Sequence, residues 1–496
     1  MSTIDIKSFY KKLLTIFESS KRPVYVYGKE RYTYQEMLKV MERLNSVLSH
    51  SPKRRVAVYA DKCYEAYAAI FAVMLSDNCW VPFNPDLPAD RAAAMIKLAE
   101  IDLILTDRPL PKALDELDIP SKNLKTLIHK ASPKPFSSTL NSQTSFDAED
   151  IAYIMFTSGS TGTPKGVPMT HLNYIHFIKI TLEILPFRQG IEVFSDYHDF
   201  GFDISIVYLF CAPFVEGAFA PGLTEQERLM PLAHMRKNGV TVLSSVPSLL
   251  SRIRMLKKDG VKDIPLHILF MCGEPFRLDL LAYAFEKMSA EHIFNFYGLT
   301  ETGVENFHHK CTPEDIERFK EQGYVPIGVP LPGNPIRLTD EDELLLSGCQ
   351  LTPGYLGGVE KERFRQIDGL RWYATGDKVV EHDGFYFCKG RLDNQVKISG
   401  YRVELMDIEA HLRLLDEVDE AVCFVVEAGG RRFIAAAYVG SGELTAASCK
   451  ARLKEKLPEY MAPSTVWRLE SLPLNKSGKV DRPALIRLYD EKKGAA

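Results

Sequence analysis

The sequence lacks a strong excess of either charge. Its 61 Lys+Arg stand against 65 Asp+Glu, a formal net charge of −4. A surface that binds nucleic acid through its phosphates needs a basic excess, so charge-driven binding of that kind is excluded. Long apolar runs are also missing. The longest, around Val207–Val215, falls far short of the roughly 20 residues that span a bilayer. The start, MSTIDIKSFYKKLLTIFESS, has neither the apolar core nor the small-residue cleavage site of a secretory leader. The nine cysteines are scattered, odd in number and never spaced Cys-x-x-Cys, which excludes a disulfide framework. Together these absences read as a reduced, cytoplasmic chain with no nucleic-acid or membrane partner. Internal repeats and low-complexity tracts are absent too. What is present is apolar material, 46% of 496 residues. That suffices to offset ordering entropy in two to four domains and to hold a site between them.

Short apolar runs alternate with helical patterns. Arg55–Ala60, Trp80–Phe83 and Leu103–Thr106 read as strands, with helices over Glu65–Leu75 and Asp90–Glu100 between them. Residues 107–150 turn polar and read as surface connection. A second series follows. Its strands fall at Ile151–Thr157, Val193–Ser195, Val240–Ser244, Ile268–Cys272 and Ile293–Phe296, with helices from Ile204, at Ser248–Lys257 and at Leu278–Lys287. This βαβα rhythm predicts doubly wound, mostly parallel sheets. Gly and short strands dominate from about Asp340 to Gly390. Beyond Asp393 comes a compact αβ pattern, with helices at Ile408–Leu415 and Cys449–Leu457 and strands at Ala421–Val426 and Phe433–Val439. A boundary is therefore expected at 392–394, between a large unit (1–391) and a small one (395–496).

Directly after the strand at 151–157 stands Thr157-Ser158-Gly159-Ser160-Thr161-Gly162-Thr163-Pro164-Lys165-Gly166. Its glycines let backbone N–H groups approach a ligand closely, and its hydroxyls and lysine suit a polyphosphate. The same composition also fits an ordinary polar loop. The GxxxxGK[ST] spacing of a P-loop NTPase fails, because Lys165 follows Gly162 by three residues and Gly follows it.

The string resembles the phosphate loop of the adenylate-forming superfamily, which includes acyl-CoA synthetases, luciferases and the adenylation domains of nonribosomal peptide synthetases. Further matches occur in the family's order. Tyr297-Gly298-Leu299-Thr300-Glu301-Thr302 resembles YGPTE with Leu299 in place of Pro, and Tyr373-Ala374-Thr375-Gly376-Asp377 resembles YxTGD. Gly390 to Ile398 resembles GRxDxQVKI and runs into Gly400-Tyr401-Arg402-Val403-Glu404. Leu457 to Pro463 matches LPxYMxP, and Asn475 to Arg482 resembles NGKxDR with Ser477 in place of Asn. The fold implied is α/β. A large N-terminal domain of doubly wound subdomains carries a small β-barrel-like part, and a small, mobile α+β domain caps it.

The reaction implied is ATP plus carboxylate giving acyl-adenylate plus pyrophosphate, in which positioning and charge neutralisation carry most of the catalysis. By resemblance, Thr157, Ser158, Gly159, Ser160, Thr161, Gly162 and Lys165 cradle the β- and γ-phosphates. Glu301 and Thr300 hold Mg²⁺ and the α-phosphate, since a carboxylate beside polyphosphate requires a cation between them. Asp377 accepts from the ribose hydroxyls, and Arg391 lies near ribose and phosphate. Gly273, Glu274, Asn295, Phe296 and Tyr297 wall the adenine, with Gly298 beside them. Lys479 reaches from the small domain to the reacting carboxylate and α-phosphate, although alone it reads as an exposed tail lysine. Asp393 is the hinge about which the small domain turns between adenylation and presentation of the thiol acceptor.

Phe202-Asp203 sits where amino-acid-activating members place a Phe-Asp pair, the Asp holding the substrate's α-ammonium. Asp203 could instead cap the helix that follows. The same alignment puts Ile204, Val207, Ser244, Phe270, Cys272, Phe296, Val304 and Glu305 around the substrate side chain. Phe270-Met271-Cys272-Gly273-Glu274 leans toward the D-alanine–D-alanyl carrier protein ligases, and the two phenylalanines imply a small pocket. Glu305 departs from a plain alanine pocket, since a buried carboxylate needs a partner. The resemblance thus implies activation of a small or polar amino acid. With no phosphopantetheine attachment motif in the sequence, the acceptor is expected to be a separate carrier protein. Two alternatives stay open: an acyl-CoA synthetase of the same fold, and a nucleotide-binding scaffold without catalysis.

Overall fold

The computed structural model describes residues 5–141, 146–159, 164–257, 261, 263–288, 290–393, 395–428, 431–473 and 480–494. Two large sheets dominate these residues. The six-stranded sheet runs Ser121–Asn123, Leu103–Thr106, Arg55–Tyr59, Cys79–Phe83, Ile151–Thr157 and Lys165–Thr170, parallel except for the last strand. The nine-stranded sheet has a parallel centre, from His292–Tyr297 through Ile268–Met271, Val242–Ser245, Val193–Asp196 and Ala218–Pro221 to Pro23–Tyr27. Antiparallel strands flank both ends of that centre.

Helices Tyr64–Leu75 and Ser205–Phe214 are apolar on nearly every side, and a helix of that kind has to be buried. They lie in one apolar cluster that takes Val56, Trp80 and Tyr153 from the first sheet and Phe194, Phe219, Phe270 and Phe294 from the second. On the other face of the second sheet, Leu243, Leu269, Met271 and Ile293 pack with Leu250, Ile253, Leu281 and Ala284 of the helices Pro247–Leu256 and Leu278–Lys287. Successive strand residues enter opposite cores, which accounts for the uninterrupted apolar runs.

Residues 107–150 differ from the expectation of a surface connection. They contain a short strand and the helices Lys112–Asp115, Leu124–Lys130 and Ser137–Asn141, and they bury Leu114, Leu124, Phe136, Leu140 and Phe146. The expectation of short strands before residue 390 also needs correction. There, a five-stranded antiparallel sheet is built around the 13-residue strand Leu370–His382.

Beyond residue 394 the apolar clusters are built only from residues 396–489. A hairpin, Gln395–Ile398 with Tyr401–Glu404, precedes the helix Leu405–Leu412 and a three-stranded sheet, Glu420–Ala428, Arg431–Val439 and Thr465–Arg468. Among the described residues no helix is long and apolar enough to cross a membrane, and the cysteines form no disulfide.

Candidate functional site

Parallel strands deliver side chains at their carboxyl ends, where open α/β sheets hold ligands. Ser244, Cys272 and Asn295–Tyr297 all emerge at one such edge, in the register Ser244↔Phe270 and Met271↔Asn295. Asn295 donates from Nδ2 to the Pro326 carbonyl at 2.8 Å, while its buried Oδ1 has no partner. Tyr297 donates to Asp377 Oδ2 at 2.5 Å, and Arg391 Nη1 binds the other oxygen of Asp377 at 3.0 Å. Asp377, only 3% exposed, is thus already fixed on both oxygens. At Gly298 a side chain is impossible, because a Cβ would lie 2.1 Å from the Val304 carbonyl.

The turn Thr300–Thr302 carries a buried and firmly paired acid. Glu301 is fully buried and accepts from Arg402 Nη1 at 2.9 and 2.7 Å and from the Tyr355 hydroxyl at 2.5 Å. Burial alone would raise its pKa. The Arg402 guanidinium and the Tyr355 hydroxyl outweigh that and hold it at about 2. One ionised carboxylate beside a threonine hydroxyl is a donor set that suits Mg²⁺ shared with phosphate oxygens. The fit requires Arg402 to withdraw, since its guanidinium now supplies the cation.

Thr300 Oγ1 donates to Asp203 Oδ2 at 2.6 Å, joining this turn to the expected ammonium site. Burial raises the Asp203 pKa, and the Thr300 hydroxyl opposes the rise. The helix that follows begins at Ser205 with Ile204 as its N-cap and no side-chain cap bond. The capping alternative for Asp203 is therefore not what the structure uses.

Most of the expected pocket residues are buried in the large apolar core. Ile204, Val207, Phe270, Cys272, Phe296 and Val304 belong to one apolar cluster with Phe202 packed against it. Phe270 and Phe296 stack at 4.3 Å and narrow the space. Phe296 is therefore engaged with the pocket; its placement on the adenine wall as well has no separate contact to support it. Among the described residues the buried Ser244 Oγ and Glu305 Oε2 have no hydrogen-bond partner.

The phosphate loop is only partly described. Thr157 is half-buried, Ser158 and Gly159 are buried, and Ser160, Thr161 and Gly162 lie outside the described residues. Lys165 does not project freely toward a ligand. Its Nζ pairs with Glu360 at 2.5 Å and lies 5.6 Å from the Tyr355 ring centre. Lys479 also lies outside the described residues.

The hairpin after residue 394 occupies the mouth of this region. Ser158 Oγ donates to the Arg402 carbonyl at 2.9 Å and accepts from Glu404 N at 3.1 Å. Glu274 takes Gly400 N at 2.9 Å and Ser248 N at 2.8 Å. It therefore anchors the hairpin here and not an adenine. Gly273, at φ +77°, faces the Gly400 Cα across a gap that a Cβ would fill to 3.9 Å. Lys397 Nζ lies 5.6 Å from the ring centre of Tyr297, one of the residues expected to wall the adenine. Asp393 is clamped by Arg391 at 2.6 Å on each oxygen and by Arg363 at 3.2 Å. Burial alone would raise the Asp393 pKa; the Arg391 pairing holds it at about 2. A cavity of about 1120 Å³ opens beside the hairpin, between Ser158, Phe202, Tyr401 and Tyr460, with Arg252 and Lys454 on its wall.

Sequence reasoning did not assign Arg402, Tyr355, Glu360, Arg363 or Lys397. Arg402 and Lys397 stood inside quoted motifs. Their charge was the available signal, and their destination depended on docking. Tyr355, Glu360 and Arg363 lay in a Gly-rich stretch with no motif.

Relatives span nearly the whole chain. The D-alanine–D-alanyl carrier protein ligase of Staphylococcus haemolyticus is 29% identical over 466 residues, covering 91% of this chain and 93% of that protein. A dimodular nonribosomal peptide synthase of Bacillus subtilis is 30% identical over 501 residues, 93% of this chain but 21% of its own length. Among solved structures, the Vibrio cholerae adenylation domain AlmE with glycyl-adenosine-5′-phosphate superposes with TM-score 0.85 at 23% identity, over 99% of each chain. That likeness establishes the fold. The family model described as AMP-binding enzyme matches residues 17–356, and that of the AMP-binding enzyme C-terminal domain matches 407–479. Spanning most of its length in this way, the chain belongs to the AMP-binding enzymes.

Proposed function

We propose that this chain joins ATP to an amino acid as an aminoacyl-adenylate and then passes the aminoacyl group to the phosphopantetheine thiol of a separate carrier protein. The observation that carries this reading is the bond from Thr300 to Asp203. It supports a reading in which Asp203, expected to hold the ammonium, lies one hydrogen bond from the turn expected to meet the α-phosphate. A fatty or aryl acid offers no ammonium for Asp203.

In the first step a substrate carboxylate oxygen attacks the α-phosphorus, and the bond to the bridging oxygen of pyrophosphate breaks. Asp203 orients the ammonium, Thr300 meets the α-phosphate, and Asp377 with Arg391 accepts and borders the ribose. Asn295 Oδ1, buried without a partner, suits the exocyclic amine of adenine. Thr157, Ser158 and Gly159 would meet the phosphates, and Lys165 would join them on leaving Glu360; the expected roles of Ser160, Thr161, Gly162 and Lys479 fall outside the described residues. With Arg402 withdrawn, Glu301 would hold Mg²⁺, which would neutralise charge on the polyphosphate. In the second step the thiol sulfur attacks the acyl carbon and AMP leaves with the bonding electrons.

Residues 1–391 form the large domain, 392–394 the hinge with Asp393 at its centre, and 395–496 the cap. The seated hairpin places Arg402 on Glu301, so this orientation belongs to the second step, after pyrophosphate and its cation have left. The cavity of about 1120 Å³ lined by Tyr401 and Tyr460 suits an acceptor arm, and Arg252 and Lys454 on its wall suit that arm's phosphate. Incubating the enzyme with ATP, Mg²⁺, mixed amino acids and either a phosphopantetheinylated carrier or coenzyme A tests the reading by mass spectrometry. An aminoacyl mass on the carrier is expected. An acyl-coenzyme A product formed from a non-amino acid would replace the proposal with the acyl-CoA synthetase alternative.

A further inference from the structure

Glu305 is the one acid among the predicted pocket residues that no role above uses. It is 4% exposed, and among the described residues its Oε2 has no hydrogen-bond partner. The Cys272 thiol bonds the carboxyl group, and Asp203 is close enough to act on it electrostatically. Lys397 also acts on it electrostatically and opposes Asp203, but among the described residues no cation forms an ion pair with it. An unpaired carboxyl group in an apolar setting is costly, and such groups persist where a partner arrives.

The backbone around Glu305 is also costly to hold. Val304 has φ +77°, a region that β-branched residues rarely enter. Glu305 N donates to the Gly303 carbonyl at 3.1 Å across it, the bond of a tight three-residue turn. Gln350 Nε2 secures that turn through the carbonyls of Thr302, Gly303 and Glu305 at 3.2, 3.0 and 2.7 Å. Asn334 Nδ2 fixes Gln350 in turn at 2.7 Å. Strain maintained by a dedicated network is characteristic of ligand sites. Here its effect is to deliver Glu305 beside Cys272.

We infer that Glu305 reads a hydrogen-bond donor on the side chain of the substrate amino acid, and that this side chain is short and ends in a hydroxyl or an ammonium group. The inference rests on the proposed amino-acid activation. Three observations set the side chain's character. Phe270 and Phe296, stacked at 4.3 Å, put two bulky rings among the expected pocket residues, which favours a short chain. Ile204, Val207 and Val304 are buried in the same apolar cluster as those rings. The unpartnered Ser244 Oγ, 1% exposed, offers a second polar contact on the same sheet face as Phe270. Alanine or glycine would leave Glu305 buried and unpaired, whereas a donor satisfies it. A site built around a buried polar group discriminates strongly against the analogue that lacks its partner.

Burial, with the Asp203 carboxylate adding to it, pushes the Glu305 pKa up to about 8. At neutral pH the free group is therefore mainly protonated and can both donate to and accept from a hydroxyl. An ammonium would draw it into the ionised form.

The test is amino-acid-dependent ATP–pyrophosphate exchange with the full chain, using both enantiomers of serine, 2,3-diaminopropionate, 2,4-diaminobutyrate and alanine, together with glycine. The inference predicts that the wild type prefers a donor-bearing member over alanine and glycine by about 10-fold or more in kcat/KM. E305A should collapse that ratio to within about threefold. E305Q separates the two donors: it keeps a preference for serine and loses one for the diamino acids. Wild-type preference for alanine or glycine would overturn the inference while leaving amino-acid activation standing. An unchanged donor-to-alanine ratio in E305A would do the same. If no amino acid supports exchange, the activation reading fails and this inference falls with it. The wild-type preference is decisive even where a variant folds poorly.

Discussion

Replacing Arg402 with alanine separates the two steps of the proposed reaction. Arg402 belongs to the hairpin, and its guanidinium meets both oxygens of Glu301 at 2.9 and 2.7 Å. The two side chains are 13% and 0% exposed, so solvent screens the pair little. Removing one partner of a buried ion pair costs about 3–5 kcal/mol, because the other charge stays buried and uncompensated. Glu301 would keep only the Tyr355 hydroxyl. The penalty applies only while the hairpin is seated; with the cap turned away, Glu301 faces water or a cation. The substitution therefore shifts the orientation equilibrium. At about 1.4 kcal/mol per tenfold, the seated population falls by about 10² or more. Pyrophosphate exchange and single-turnover transfer of a labelled aminoacyl group to a carrier thiol, measured on the same preparation, check this. Transfer should slow by about 100-fold or more while exchange changes less than about threefold. An equal loss in both assays, or transfer at the wild-type rate, would refute the assignment of Arg402 to the second step.

Gly298→Ala forces a Cβ to 2.1 Å from the Val304 carbonyl and 2.4 Å from the Glu305 Cα, contacts that backbone cannot relieve. A loss of about 1–3 kcal/mol is expected, read as a lowered melting temperature together with weakened exchange. His171 and His198 are each held near pKa 3 by burial, against 6.5 for the ordinary group. Below pH 6.5 the unfolded chain takes up these protons and the folded chain does not until about pH 3. Stability should therefore fall as pH drops through that window, by about 1.4 kcal/mol per pH unit for each histidine. Urea unfolding at pH 7.5, 6 and 5 gives the slope, and His171→Asn should remove one proton's share. For a diamino acid substrate, exchange should improve as pH rises through about 8, where Glu305 ionises. The groups facing it are Asp203, Cys272 and Lys397. A serine substrate should show no such rise, and a pH profile of kcat/KM distinguishes the two.

Much of the molecule was legible in the order of its residues. Strands buried on both faces, such as Ile151–Thr157 and Ile268–Met271, announce themselves as unbroken apolar runs. Residues 107–150 did not, because Leu114, Leu124, Phe136, Leu140 and Phe146 stand singly among polar neighbours and show no period. The motifs named the expected site residues, and among them Asp203 bonds Thr300 and Asp377 bonds Arg391. Other partners went unnamed. Arg402 reaches Glu301 only when two units dock, 101 residues apart in sequence. The positive φ of Val304 contradicts local preference and is held by Gln350, more than 40 residues away. Local pattern cannot report a conformation that tertiary hydrogen bonds impose.

The central claim is that Asp203 anchors an amino acid's ammonium beside the adenylating turn. Exchange of labelled pyrophosphate into ATP, with and without each common L- and D-amino acid, in wild type and in Asp203→Ala, tests it most directly. A small set of amino acids should stimulate wild-type exchange, and Asp203→Ala should lower that stimulation by about 100-fold, the loss expected for a charge-assisted contact of about 3 kcal/mol. Exchange that no amino acid stimulates, or stimulation that survives in Asp203→Ala, would contradict the account.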